Sequence, residues 1–168
     1  MRVAPQQEPQ AHEEGLADLL ARASHLLAES FHAQVKSHGL SVSEWRVLAA
    51  LAERDGVPMT QLGRQLLLKQ PTLTKVIDRM ERTFLVSRRT AREDRRRALV
   101  DLTELGRQLA TPLLASAREH EAWVARALGR AEYQKCKAVV AEIADRFDEP
   151  NWRRNASHWA VSQTVAIK

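Results

Sequence analysis

From Leu16 onward apolar residues return every three or four positions, through Leu19, Leu20, Ala23, Leu26, Leu27 and Phe31 to Val35. That spacing predicts one long amphipathic helix, and Gly39 ends it. Ser41 with Glu44 three residues later is the pattern of a capping box, in which hydroxyl and carboxylate each satisfy a free backbone N–H of the first turn. It opens a second helix through Trp45, Leu48, Leu51 and Ala52, closed by Asp55-Gly56. Thr60 is placed to cap a short third helix carrying Leu62 and Leu66. Lys69-Gln70 then leads to Pro71, which suits a helix's first turn because its missing N–H is not needed there. In the helix that follows, to about Arg82, Leu73, Val76, Ile77 and Met80 share one face, and Pro71, Thr72, Lys75, Asp78, Arg79 and Arg82 lie opposite.

The period then changes to two. Leu85-Val86 begins an extended run to Thr90, and Ala98, Val100 and Leu102 alternate with Leu99 and Asp101 in a return run, so a β-hairpin is predicted. Thr103 is a good cap for a long helix carrying Leu105, Leu109, Leu113, Ala117, Val124 and Leu128, with Pro112 expected to kink or loosen it and Gly129 to end it. A last helix puts Tyr133, Cys136, Val139, Val140, Ile143 and Phe147 on one stripe, and Pro150 stops it. Residues 1–10 read as a loose tail, and the segment after Pro150 has no readable pattern.

Composition narrows the class. With 44% hydrophobic and 28% charged residues but only six Gly and six Pro, the 168-residue chain is an ordered helical protein with one domain's worth of core. Its apolar stretches are too short to span a bilayer, and Met1 to Gly15 lacks the apolar centre of a signal peptide, so a cytoplasmic location is expected. A single cysteine, Cys136, excludes an internal disulfide framework and a Cys-rich zinc site. A glycine-rich phosphate loop, a nucleophile elbow and a His–Cys pair are all missing, so no catalysis, metal or cofactor is expected.

Charge changes the picture more. Residues 60–103 hold eleven Lys/Arg against five Asp/Glu, a net of +6, although the whole chain carries only +5. Six arginines, Arg88, Arg89, Arg92, Arg95, Arg96 and Arg97, fall in the hairpin and its tip, broken by Glu93-Asp94. A local excess of this kind is the footprint of a phosphate-contacting surface; a solvated, salt-bridged face is the other reading.

The run from Leu40 to Leu48, the helical pair from Thr60 to Met80, and Asp94-Arg95-Arg96 followed by Val100-Asp101-Leu102-Thr103 together resemble the multiple-antibiotic-resistance-regulator (MarR) family over about residues 16–147. The resemblance implies a mainly α fold with a small β-hairpin wing. A winged helix-turn-helix head at about 41–103 would sit on dimerisation helices at about 11–38 and 104–147, with 148–168 as a tail. It further implies a homodimeric transcriptional regulator, mostly a repressor, on a palindromic double-stranded operator, released by a small aromatic acid. Leu16, Leu19, Leu20 and Phe147 are read as interface or equally as core of one subunit.

At DNA, the N-terminal turn of the Pro71 helix suits the major groove. Gln70 and Thr72 are candidate base readers, Lys75 and Arg79 reach guanine or phosphate, and Pro71 and Thr74 complete that edge. The family pattern implies Arg96 in the minor groove braced by Asp94, with Arg88, Arg89, Arg92 and Arg95 at phosphates or the outer flank. This family often has a glycine before the first wing strand, where Thr83-Phe84 stands here, so Phe84 is expected in an unfavourable backbone conformation or in a different turn.

For an effector, Trp45 offers an aromatic wall and Arg46 a guanidinium for a carboxylate, with His25 and His32 on the first helix. Trp45 as core, Arg46 snorkelling and solvated histidines are the plainer readings. Cys136 is read as core packing, with a cysteine-based redox sensor as the alternative. A non-specific architectural DNA binder or a protein-interaction winged helix is the rival function, separated from a regulator by its lack of preference for one sequence.

Overall fold

The computed structural model describes residues 15–90 and 98–148. Six helices and three strands occur among them: α1 (Leu16–Ser37), α2 (Val42–Ala52), β1 (Val57–Pro58), α3 (Met59–Leu66), α4 (Gln70–Arg82), β2 (Val86–Thr90), β3 (Ala98–Leu102), α5 (Glu104–Leu128) and α6 (Arg130–Asp148). The chain divides into two compact units, residues 1–118 and 119–168. None of the described helices is long and apolar enough to cross a membrane.

In the first unit the predicted helical faces converge on one core. Val35, Val47, Leu48, Leu51, Leu62, Leu73, Ile77, Met80, Val100 and Leu113 are fully buried. The capping box forms as read: the Ser41 hydroxyl accepts from the Glu44 N–H at 3.2 Å, and the Glu44 carboxylate accepts the Ser41 N–H at 2.7 Å. Glu44 is itself buried, and its other oxygen lies 3.1 Å from Nε of Arg79 on α4. One carboxylate thus starts α2 and tethers α4. Glu44→Ala should cost about 2–3 kcal/mol, a lost cap plus an orphaned buried link, measurable by urea unfolding.

The sheet has the order β1-β3-β2, all antiparallel. Burial alternates along β3, where Val100 and Leu102 face the core, as the period-two pattern predicts. β1 was not foreseen: two residues have no period to read, and Pro58 argues against a strand. Its pairing, Val57 to Val100 and Pro58 to Leu99, also moves the start of α3. The helix begins at Met59 with Pro58 as its N-cap, so the expected Thr60 cap is corrected.

Three helices end in the same six-residue closure. Leu40, Leu68 and Leu85 donate their N–H to the carbonyls of Val35, Gly63 and Met80, and the residue before each is left-handed. Gly39 fills that position for α1, but Leu67 (φ 54°) and Phe84 (φ 57°) fill it for α3 and α4. The strain expected at Phe84 is therefore present, and 74% of its surface is exposed, so little packing offsets it. Phe84→Gly should raise stability by about 0.5–1 kcal/mol, the left-handed penalty of ~1–2 less glycine's chain-entropy cost of ~0.5–1; a chemical melt reads the gain directly.

In the second unit, α6 has no buried residue. Cys136 was read as core packing; the structure corrects this, since Cys136 is exposed, as are Val139, Val140 and Phe147 on the same helix. The Tyr133 hydroxyl donates to the Glu121 carboxylate. That bond raises the tyrosine's pKa, because deprotonation would oppose two anions. α5 runs as one helix through Pro112.

Candidate nucleic-acid interface

The site is built from α4 and the strands beside it. α4 starts at Gln70 with Lys69 as N-cap and a proline in its first turn, so N–H groups and a positive dipole end face outward there. Leu73, Ile77 and Met80 lock one side into the core. That leaves Gln70, Pro71, Thr72, Lys75 and Arg79 exposed and Thr74 half-buried, the arrangement expected for the outward edge. Thr60, Gln70, Thr74, Arg88 and Ala98 line a cleft of about 330 Å³ with Pro58 and Met59, between the first turns of α4 and the hairpin strands.

The hairpin arginines do not share one role. Arg88 points at α4, not outward: Nη2 is 2.6 Å from Asp78 and 3.3 Å from the Thr74 carbonyl, and Nη1 is 3.2 Å from Glu81. Its charge is opposed by two carboxylates, and its Nε is sealed from solvent. Arg88 was expected at phosphate or on the outer flank, and the structure holds its guanidinium against the carboxylates of α4. Arg89 pairs with Asp101 across the hairpin at 2.7 Å. Arg79 keeps 60% of its side chain exposed while Nε holds Glu44. Arg92, Asp94, Arg95, Arg96 and Arg97 lie outside the described residues, and so does the Asp94–Arg96 brace.

Sequence reasoning missed Asp78 and Glu81 as site residues. A signal was available, since positions 74, 78 and 81 recur on one helical face, but nothing local says which arginine closes on them.

The expected effector residues lie on α1 and α2. Trp45 is buried edge-to-face on Phe31, ring centroids 5.2 Å apart, so the core reading holds for it. His25 and Arg46 are exposed on α1 and α2. Among the described residues no group of three or more His, Cys, Asp or Glu is placed to hold a metal ion.

Residues 38–97 match the MarR family. A MarR family transcriptional regulator, SPO1453 from Silicibacter pomeroyi DSS-3, is 38% identical, with a TM-score of 0.71 over 79% of this chain and 95% of its own. The transcriptional repressor CouR, solved on a 23-mer DNA duplex, is 28% identical, with a TM-score of 0.68 over 82% of this chain and 99% of its own. NadR, solved with 4-hydroxyphenylacetate, is 25% identical, with a TM-score of 0.72 over 82% and 98%.

Proposed function

We propose, from the premise that this chain belongs to the MarR family of transcriptional regulators, that it represses transcription as a homodimer bound to a palindromic double-stranded operator. The observation that carries the reading is the exposed edge of α4, Gln70, Pro71, Thr72, Lys75 and Arg79, set beside a basic hairpin. Gln70 and Thr72 read base edges in the major groove, and Lys75 and Arg79 hold guanine or phosphate. Arg96, braced by Asp94, enters the minor groove, with Arg95 on its flank.

One α4 reads only a few base pairs, so a two-fold pair is needed for affinity and spacing. Leu16, Leu19, Leu26 and Leu27 on α1, and Val139, Val140 and Phe147 on α6, are exposed apolar side chains on helices that the single chain leaves uncovered. A second copy covers them. Cys136 lies on that same exposed α6, where burial by the partner subunit accounts for it without redox chemistry.

The likeness to NadR, solved with 4-hydroxyphenylacetate, supports reading a small aromatic carboxylate as the releasing effector. Exposed His25 and Arg46 sit on the two helices that the Phe31–Trp45 contact joins, and they are the proposed contacts. Selection from random duplexes tests the function. The account expects enrichment of an inverted repeat with centres about one helical turn apart; recovery of unrelated sequences would replace it with an architectural binder.

A further inference from the structure

β2 is an edge strand, and α4 covers that edge through charge. The backbone N–H of Arg88 turns away from β3 and donates to Glu81 at 3.0 Å, so α4 supplies the acceptor that an edge strand otherwise lacks. The Arg88 side chain then returns to α4, donating to the Thr74 carbonyl and to Asp78 and pairing with the Glu81 carboxylate, three partners about one turn apart. Backbone and side chain of one residue thus fasten the hairpin to the helix that carries Gln70 and Lys75. The Arg88 side chain is 28% exposed, less than either carboxylate partner, so the guanidinium is the more enclosed member of each pair.

We propose that Arg88 is a positioning residue: it sets the angle between wing and recognition helix, and so sets sequence discrimination, without touching phosphate. The proposal rests on the DNA-binding reading above. A planar guanidinium bridging two carboxylates and a carbonyl permits a narrow range of geometries, whereas a lysine ammonium in its place, a compact charge with freely rotating donors, fixes the angle less tightly. A wing free to tilt still meets phosphates, but it no longer enters the groove in register with α4. The cost therefore falls on the preferred sequence and spares random DNA.

The two roles predict opposite signs. If Arg88 held phosphate, Asp78→Asn with Glu81→Gln would free a cation and remove two anions, and binding would strengthen with its preference intact. As a positioning residue, that double variant loses preference. Affinity of full-length protein is measured by anisotropy on a duplex selected by the wild type and on a scrambled duplex, across a salt series. For Asp78→Asn/Glu81→Gln and for Arg88→Gln the ratio of the two affinities should fall about tenfold. The salt slope for Arg88→Gln should stay at the wild-type value, whereas one lost phosphate contact lowers it by about one per head. An unchanged ratio, or a lower slope for Arg88→Gln, overturns the proposal.

Amide exchange of Val86 to Thr90 in the DNA-free protein gives a second reading: about tenfold faster in Arg88→Gln, slowed in part by Arg88→Lys, with circular dichroism confirming the fold. Exchange that stays at the wild-type rate also overturns it. A wild type that selects no sequence contradicts the regulator reading instead, and the exchange result then still decides the clamp.

Discussion

Gly106→Ala should lower the melting temperature by about 10 °C, a loss of about 2–4 kcal/mol. In an isolated helix the change would help, since alanine is the better helix former by ~1 kcal/mol. Here a Cβ would stand 2.0 Å from the Leu85 carbonyl oxygen and 3.0 Å from its carbon, backbone atoms with no rotamer to escape into. The oxygen cannot retreat freely, because it accepts the Thr103 N–H at 3.2 Å. Thr103 tightens the same junction: its hydroxyl donates to the Phe84 carbonyl at 2.5 Å and accepts the Gly106 N–H at 3.0 Å. The start of α5 is thereby pinned to the entry of the wing. A melting temperature at or above the wild-type value would mean that this junction yields, and that the wing is held by β3 and α4 alone.

The second large effect is on DNA. Gln70→Ala should cost about 1–3 kcal/mol per half-site on the selected operator and almost nothing on random DNA, because a bidentate amide contact reads one base. Lys75→Ala should weaken both duplexes alike and reduce the salt slope by about one contact per head. Both side chains are exposed on the outward edge of α4, and neither change touches the core face formed by Leu73, Ile77 and Met80. Anisotropy titrations on the two duplexes, repeated at several salt concentrations, separate the outcomes. Equal losses for both variants on both duplexes would mean that α4 contributes charge and no readout.

The helices were legible because their signals are local. Ser41 and Glu44 are three residues apart, and the box they predict is the box that forms. Gly39 and Gly129, at φ 74° and 86°, end helices where glycine said they would. The strand alternation at Val100 and Leu102 likewise survived into burial. β1 escaped because its only support is a partner some forty residues away. The closure at Leu67 escaped because nothing about leucine announces a left-handed residue, whereas Phe84 drew notice only from an expected glycine.

The candidate site was legible in outline and less so in the division of labour within it. Six arginines in the hairpin gave the sign of the surface charge. They did not say that Arg88 and Arg89 are matched to Asp78, Glu81 and Asp101, pairings that depend on how helix and hairpin dock. Cys136 shows the same limit from the other side. An apolar stripe says that something covers it, and only the packed subunit shows that its own core does not.

The most direct test of the account is anisotropy of the full-length protein on duplex DNA from upstream of its own gene, at fixed salt with excess random competitor. The account predicts binding that survives the competitor, with a preference of about 10³ or more over random sequence. Binding erased by the competitor would contradict it, leaving a basic winged helix without a sequence to read.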